Sequence, residues 1–142
     1  MNKKQKTLAV AASATTLTAA FLTLATPASA ADGVVPYNGA CGSGYSVIDH
    51  KDISFLGGSE NATVYLAYNG SKNCAVTIKF HTDYTEPMRA TIRVTGGVWD
   101  TDDGNYHSYA GPVYTTNSAG QCVDWYGSLQ GIGAGENNSH CG

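Results

Sequence analysis

The stretch Trp99-Asp100-Thr101-Asp102-Asp103-Gly104-Asn105-Tyr106-His107-Ser108-Tyr109 gathers three carboxylates and three large aromatic rings, the densest chemistry in the chain. Clustered carboxylate and amide oxygens are what a hard cation such as Ca²⁺ takes as ligands, so Asp100, Asp102 and Asp103 are candidate metal ligands. The spacing departs from an EF-hand: with Gly104 at the sixth loop position, Trp99 falls first and Thr101 third. A solvated acidic turn in a loop explains the same run without an ion. The rings offer a second use, because exposed aromatics beside acidic and amide groups stack on sugar rings and bond their hydroxyls. Trp99, Tyr106 and Tyr109 are therefore candidate ligand-binding residues, although core packing and cross-strand pairing account for most aromatics more simply.

Nucleophilic catalysis finds little support. Cys41-Gly42-Ser43-Gly44-Tyr45 departs from the papain-type pattern at the decisive position, where Gly44 stands in place of the thiol. Ser43 is not within a G-x-S-x-G elbow. The histidines, His50, His81, His107 and His140, lack the i, i+4 or short-loop spacing of a metal site and read as surface residues. Asp49 and His50 are adjacent in a predicted strand, so their side chains leave on opposite faces and cannot act as orienter and base. No catalytic residue and no cofactor is assigned, and the expectation is a protein that is not an enzyme.

What positions these groups is one small domain behind a leader. Lys3, Lys4 and Lys6 precede an uncharged Leu-, Ala- and Thr-rich stretch that closes at Pro27-Ala28-Ser29-Ala30, the pattern of a signal peptide cleaved after Ala30. The stretch is diluted by Thr and Ala, and the small residues at its end have no role in a membrane anchor. Residues 31–142 then form a single secreted domain, with no membrane-spanning segment once the leader is gone. Removing the three leader lysines leaves five basic and eleven acidic residues, a net charge of −6. The remaining Lys51, Lys72, Lys79, Arg89 and Arg93 are scattered, which argues against nucleic acid and against an anionic membrane surface.

Cys41, Cys74, Cys122 and Cys141 are an even set in an exported chain, and no CxxC pair marks a zinc ribbon. Of three pairings, Cys41 with Cys74 and Cys122 with Cys141 is preferred because the second would tie the Gly-rich tail to a strand; spacing alone leaves all three open. Alternation is clearest at Cys74–His81, read as a half-buried strand, and Asn69-Gly70-Ser71-Lys72 turns into it from a strand at Thr63–Tyr68. Tyr45–His50, Ala90–Thr95, Pro112–Thr116 and Gln121–Tyr126 read as further strands, while Ala31–Gly39 and Gly127–Gly142 look irregular. About six short strands predict an all-β fold, a small disulfide-stabilised β-sandwich or barrel.

Several blocks of sequence carry a resemblance. They are Tyr37-Asn38-Gly39-Ala40-Cys41-Gly42-Ser43-Gly44-Tyr45-Ser46-Val47-Ile48-Asp49, Val64-Tyr65-Leu66-Ala67-Tyr68-Asn69 and Lys72-Asn73-Cys74-Ala75-Val76-Thr77-Ile78, continued through Ser108–Tyr114 and Gly120–Trp125. Over nearly the whole mature domain the chain resembles the spore-associated protein A family of actinomycetes. The resemblance implies a small exported protein of the spore or cell exterior, with spore or cell-wall surface components as partners. It carries over no catalytic residue, and the acidic stretch Asp100–Asn105 and the tail after Gly127 lie outside the matching blocks. The leading expectation is a non-enzymatic, spore- or surface-associated secreted protein. The alternative is a secreted binding module or hydrolase inhibitor that presents aromatic and acidic loops on a rigid scaffold.

Overall fold

A computed structural model describes residues 34–56 and 61–142; the leader expected at Met1–Ala30 lies outside the described residues. Among the described residues there are eight strands and no helix: β1 (Ser46–Ser54), β2 (Asn61–Tyr68), β3 (Asn73–Lys79), β4 (Glu86–Val94), β5 (Asp100–Tyr106), β6 (Tyr109–Tyr114), β7 (Val123–Leu129) and β8 (Ile132–Ser139). They build two antiparallel sheets, ordered β1-β2-β3-β6 and β5-β4-β7-β8. The inner faces meet in a core that includes Val64, Leu66, Ala75, Ile92, Trp125 and Leu129, all fully buried. The fold is a β-sandwich, as the all-β reading anticipated, with eight strands instead of six.

The two additional strands come from the acidic stretch read as a loop and from the tail read as irregular. The acidic stretch is not a loop but β5, an edge strand paired to β4 from Glu86↔Tyr106 to Ile92↔Asp100. Asp, Asn and Gly have poor strand propensity, yet the ladder forms because the carboxylates have work across the sandwich edge. Tyr114 donates its N–H to Asp100 Oδ2 at 2.8 Å and Gly111 donates to Asp102 Oδ2 at 2.6 Å. The tail is likewise β8, paired to β7 through a two-residue turn in which Gln130 (φ 50°) and Gly131 (φ 82°) both take positive φ. That is the geometry a tight hairpin requires, and glycine supplies half of it at no steric cost.

β3 also differs from its half-buried reading, since both its faces are covered. Ala75 and Thr77 look into the sandwich, while Cys74, Val76 and Ile78 join Val35, Cys41, Tyr65 and Ala67 in a second apolar cluster on the outside of the first sheet. Residues 34–45 form its cover. Val35 donates its N–H to Thr63 Oγ1 at 2.9 Å, the Tyr65 hydroxyl donates to the Val35 carbonyl, and Tyr37 packs on Tyr65 with centroids 5.3 Å apart. The disulfide Cys41–Cys74 pins this segment to β3, and Cys122–Cys141 ties the end of the tail to the start of β7; no cysteine is free. This is the pairing preferred from the sequence.

Two close fits fix the sheets against each other. A Cβ on Gly127 would lie 2.2 Å from Thr77 Oγ1 and 2.6 Å from Val64 Cβ, so only glycine permits this approach of β7 to the first sheet. At one end of the interior, Lys79 Nζ meets Glu86 Oε2 at 2.7 Å with side chains only 1% and 4% exposed. Tyr84 O accepts from the ammonium and Gln130 Nε2 donates to the carboxylate, so neither buried charge lacks a partner.

Candidate functional site

The alternation predicted for Ala90–Thr95 positions a site on the outside of the second sheet. Ala90 and Ile92 point inward and are fully buried, so Arg89, Thr91 and Arg93 face outward. The register then sets them in rows with their neighbours. Asp103, Arg89, Ser128 and Gly133 stand in one row, and Thr101, Thr91, Tyr126 and Gly135 in the next. Trp99, just before β5, closes the end of the surface beside Arg93. Arg89, Thr91, Trp99, Thr101, Tyr126 and Ser128 line a groove of about 430 Å³.

Its two rings are held from below. Trp99 and Tyr126 have centroids 6.2 Å apart at an interplanar angle of 56°, and Trp99 remains 38% exposed. The Arg93 guanidinium lies 4.3 Å from the Trp99 ring centre while its Nε donates to Asp124 Oδ2 at 2.6 Å, so one arginine supports the indole and is itself held. Beneath Tyr126 lies Gly135: a Cβ there would come within 2.5 Å of Tyr126 Cδ1 and 2.1 Å of the Trp125 carbonyl. Glycine on the edge strand lets the tyrosine ring lie over the backbone, a form of cross-strand aromatic cover.

The polar groups of the groove are arranged and neutralised. Arg89 Nε donates to Asp103 Oδ2 at 2.7 Å and Nη2 donates to the same oxygen. Thr91 and Thr101 share a hydroxyl–hydroxyl bond of 2.6 Å, and Thr91 also donates to the Asp100 carbonyl at 3.1 Å. Asp124, almost fully buried, accepts from Thr95 Oγ1 at 2.7 Å and from the Asn138 N–H at 2.8 Å as well as from Arg93. Burial pushes its carboxyl upward, but these donors outweigh burial and hold it below the usual carboxylate range.

Of the ligand-binding candidates, the structure brings Trp99 into the groove and leaves the other two elsewhere. Tyr106 donates to Asp102 Oδ1, and that bond, with burial and the nearby carboxylates adding, holds its phenol above the usual range. Tyr109 sits on β6, opposite Ile78 in the other sheet. The three candidate metal ligands do not converge. Asp100 and Asp102 accept backbone N–H groups from β6, whereas Asp103 lies on the opposite face of β5 with Arg89. Ser128 and the glycines of β8 were missed because the tail after Tyr126 shows no apolar alternation, with Gln130-Gly131 the available hairpin signal; Tyr126 fell in the expected strand Gln121–Tyr126, but nothing in the sequence sets it beside Trp99.

A second cluster lies where β1 meets β8. His140 Nε2 is 3.0 Å from Asp49 Oδ2, and Lys51 Nζ is 2.8 Å from Glu136 Oε1 and 3.6 Å from Asp49 Oδ2. Asp49, Glu136 and His140 bring ligand-type atoms within 4.8 Å of one another, but the Lys51 ammonium already supplies a cation to both carboxylates. Burial raises the Asp49 carboxyl, and bonds from His140 and the His50 N–H together with Lys51 bring it below its ordinary value. His50 itself turns the other way and packs on Tyr65 at 5.7 Å. A neighbouring cavity of about 600 Å³ is lined by Ile48, Tyr68, Ser118 and His140 among others. Ser118 Oγ is already engaged, donating to Asn73 Oδ1 at the start of β3 at 2.7 Å and accepting from Thr115 at 3.1 Å.

Fold and surface together define a small disulfide-bonded β-sandwich with one covered and one open outer face. The chain is 42% identical over 118 residues to Spore-associated protein A of Streptomyces coelicolor, a match covering 81% of this chain and 73% of that protein. It belongs to the spore-associated protein A family. No protein-family model and no solved structure matches it.

Proposed function

We propose that the protein is exported and serves, without catalysing a reaction, as a component of the spore or cell exterior. The observation that carries this reading is the 42% identity, across 81% of the chain, to a relative named for its association with spores. Two disulfides agree with an oxidising compartment. The engagement of polar groups agrees with a non-catalytic role: the His140–Asp49 pair is bound up with Lys51, and the Ser118 hydroxyl is occupied by Asn73 and Thr115. The test is to follow a tagged copy through sporulation and weigh the purified product. The expected result is co-fractionation with spore or wall material, a mass that begins at Ala31, and no titratable thiol. A cytoplasmic protein beginning at Met1 with reduced cysteines would overturn the reading.

A second reading, a secreted binding module, is favoured by the groove on the second sheet. Its paired rings and fixed hydroxyls are recognition groups on rigid strands. The two readings are compatible, since retention at a surface needs something to hold on to.

A further inference from the structure

We infer that the groove on the outer face of the second sheet binds a neutral glycan chain, with Trp99 and Tyr126 as stacking platforms. The inference rests on the binding reading and names its ligand class.

Charge decides first. Both arginines of this face are already matched, Arg89 by Asp103 and Arg93 by Asp124, so the face presents no unspent positive charge to a phosphate or sulfate. An anionic polymer also meets a domain of net charge −6 from Ala31 onward. A cationic ligand fares no better, because each of those carboxylates is held by its arginine.

Shape and chemistry then narrow the choice. A purely apolar ligand would strip water from the Thr91 and Thr101 hydroxyls, Ser128 and the Arg89–Asp103 pair without replacing their bonds, which is costly. A polyhydroxylated ring matches both halves of the surface. Its axial C–H face lies on an indole or phenol ring, and its equatorial hydroxyls reach the rim, where the Thr91 and Thr101 oxygens and Asp103 accept and the remaining N–H groups of Arg89 donate. A volume of about 430 Å³ is at the small end for ligand sites, and the site is open to solvent, so a chain longer than its bound segment is not enclosed. The rings are also preorganised. Arg93 and Gly135 hold them before any ligand arrives, so little rotamer freedom is lost on binding.

The chain carries its own reporter, since Trp99 is exposed and Trp125, the other tryptophan, is fully buried. The test titrates the full exported protein with cellohexaose and with chitohexaose, reading tryptophan emission and its accessibility to iodide, with polyphosphate as the anionic comparison. At least one neutral hexasaccharide is expected to shift the emission saturably and to shield Trp99 from iodide, while polyphosphate does neither. By calorimetry, Trp99→Ala weakens that binding at least about tenfold. Ser128→Phe, which fills the groove, does the same, and Tyr109→Ala on the other sheet leaves it unchanged; a single cooperative melting transition well above the assay temperature shows that each variant is folded. The inference is overturned if neither neutral sugar binds by about 10 mM, if binding survives both groove variants, or if polyphosphate binds through Trp99 instead. Spore or wall association that persists without glycan binding would remove this inference and leave the surface reading standing.

Discussion

The two outer faces of the sandwich are built from similar strands and put to opposite use. On the first sheet, residues 34–45 lie across β2 and β3 and turn their outward side chains into a second core, locked by Cys41–Cys74. On the second sheet nothing among the described residues lies across Arg89, Thr91, Trp99 and Tyr126, and their charges are matched in place. The sealed face contributes stability by excluding water from Tyr65, Val76 and Ile78. The open face is stable in contact with water and is free to meet a ligand. Changes on the first should therefore be read as unfolding, and changes on the second as binding.

The largest expected effect is from cutting the seal. Cys41→Ala with Cys74→Ala should cost about 2–5 kcal/mol in urea unfolding and expose the second apolar cluster to a hydrophobic dye. Because Cys122–Cys141 closes 19 residues and Cys41–Cys74 closes 33, loop closure alone makes the latter worth about 0.5 kcal/mol more. Equal losses, with no dye binding, would mean that residues 34–45 contribute little as a cover.

A smaller cut in the same face is Tyr65→Phe, which removes only the hydroxyl donated to the Val35 carbonyl. About 1 kcal/mol should be lost, with faster proteolysis near residue 35. Retained resistance there would show that the disulfide holds the segment without that bond.

Acid should act first on the tail of the chain, held by Asp124 on β7 and by Asp49 on the neighbouring β1. Asp124 holds the Asn138 N–H and Asp49 holds His140, and both carboxyls lie below their ordinary values. A carboxyl lowered on folding adds stability that is complete above its unfolded value, near pH 4, and is lost as the pH falls through the lower folded value. Amide exchange at Asn138 should accordingly accelerate below about pH 4 before exchange in β2 and β3 does. Asp124→Asn should flatten that dependence. Simultaneous acceleration in both sheets would show that acid unfolds the molecule as one unit.

The smallest effect is expected on the open face. Trp99→Ala should cost about 0.5–1 kcal/mol, because the ring packs on Tyr126 and Arg93 at the surface and takes no part in either buried cluster. A loss of about 2 kcal/mol or more would make Trp99 a structural residue and erase the contrast between the faces.

Much of this could be read from residue order because it depends on neighbours. The Asn69-Gly70 turn was legible: Asn69 Oδ1 accepts the N–H groups of Ser71 and Lys72, and Gly70 takes φ 94°. So was the alternation of Ala90 and Ile92 against Thr91 and Arg93. β5 was hidden because a strand of Asp, Thr, Gly and Asn has no apolar period, and the bonds that β6 makes to Asp100 and Asp102 come from across the sandwich edge. β8 was hidden for the same lack of pattern, and Glu136 meets Lys51 only through the pairing of distant segments.

Composition, alternation and cysteine count determined by themselves an all-β domain with two cross-links, since strand period and turn chemistry are written over a few consecutive residues. Tertiary structure alone decided that β3 is covered on both faces, that Asp100 and Asp102 are spent on backbone N–H groups while Asp103 pairs with Arg89, and that Trp99 faces Tyr126. Those outcomes depend on which strands become neighbours, and strand neighbours are chosen by the burial of the whole molecule, which no short window of sequence contains.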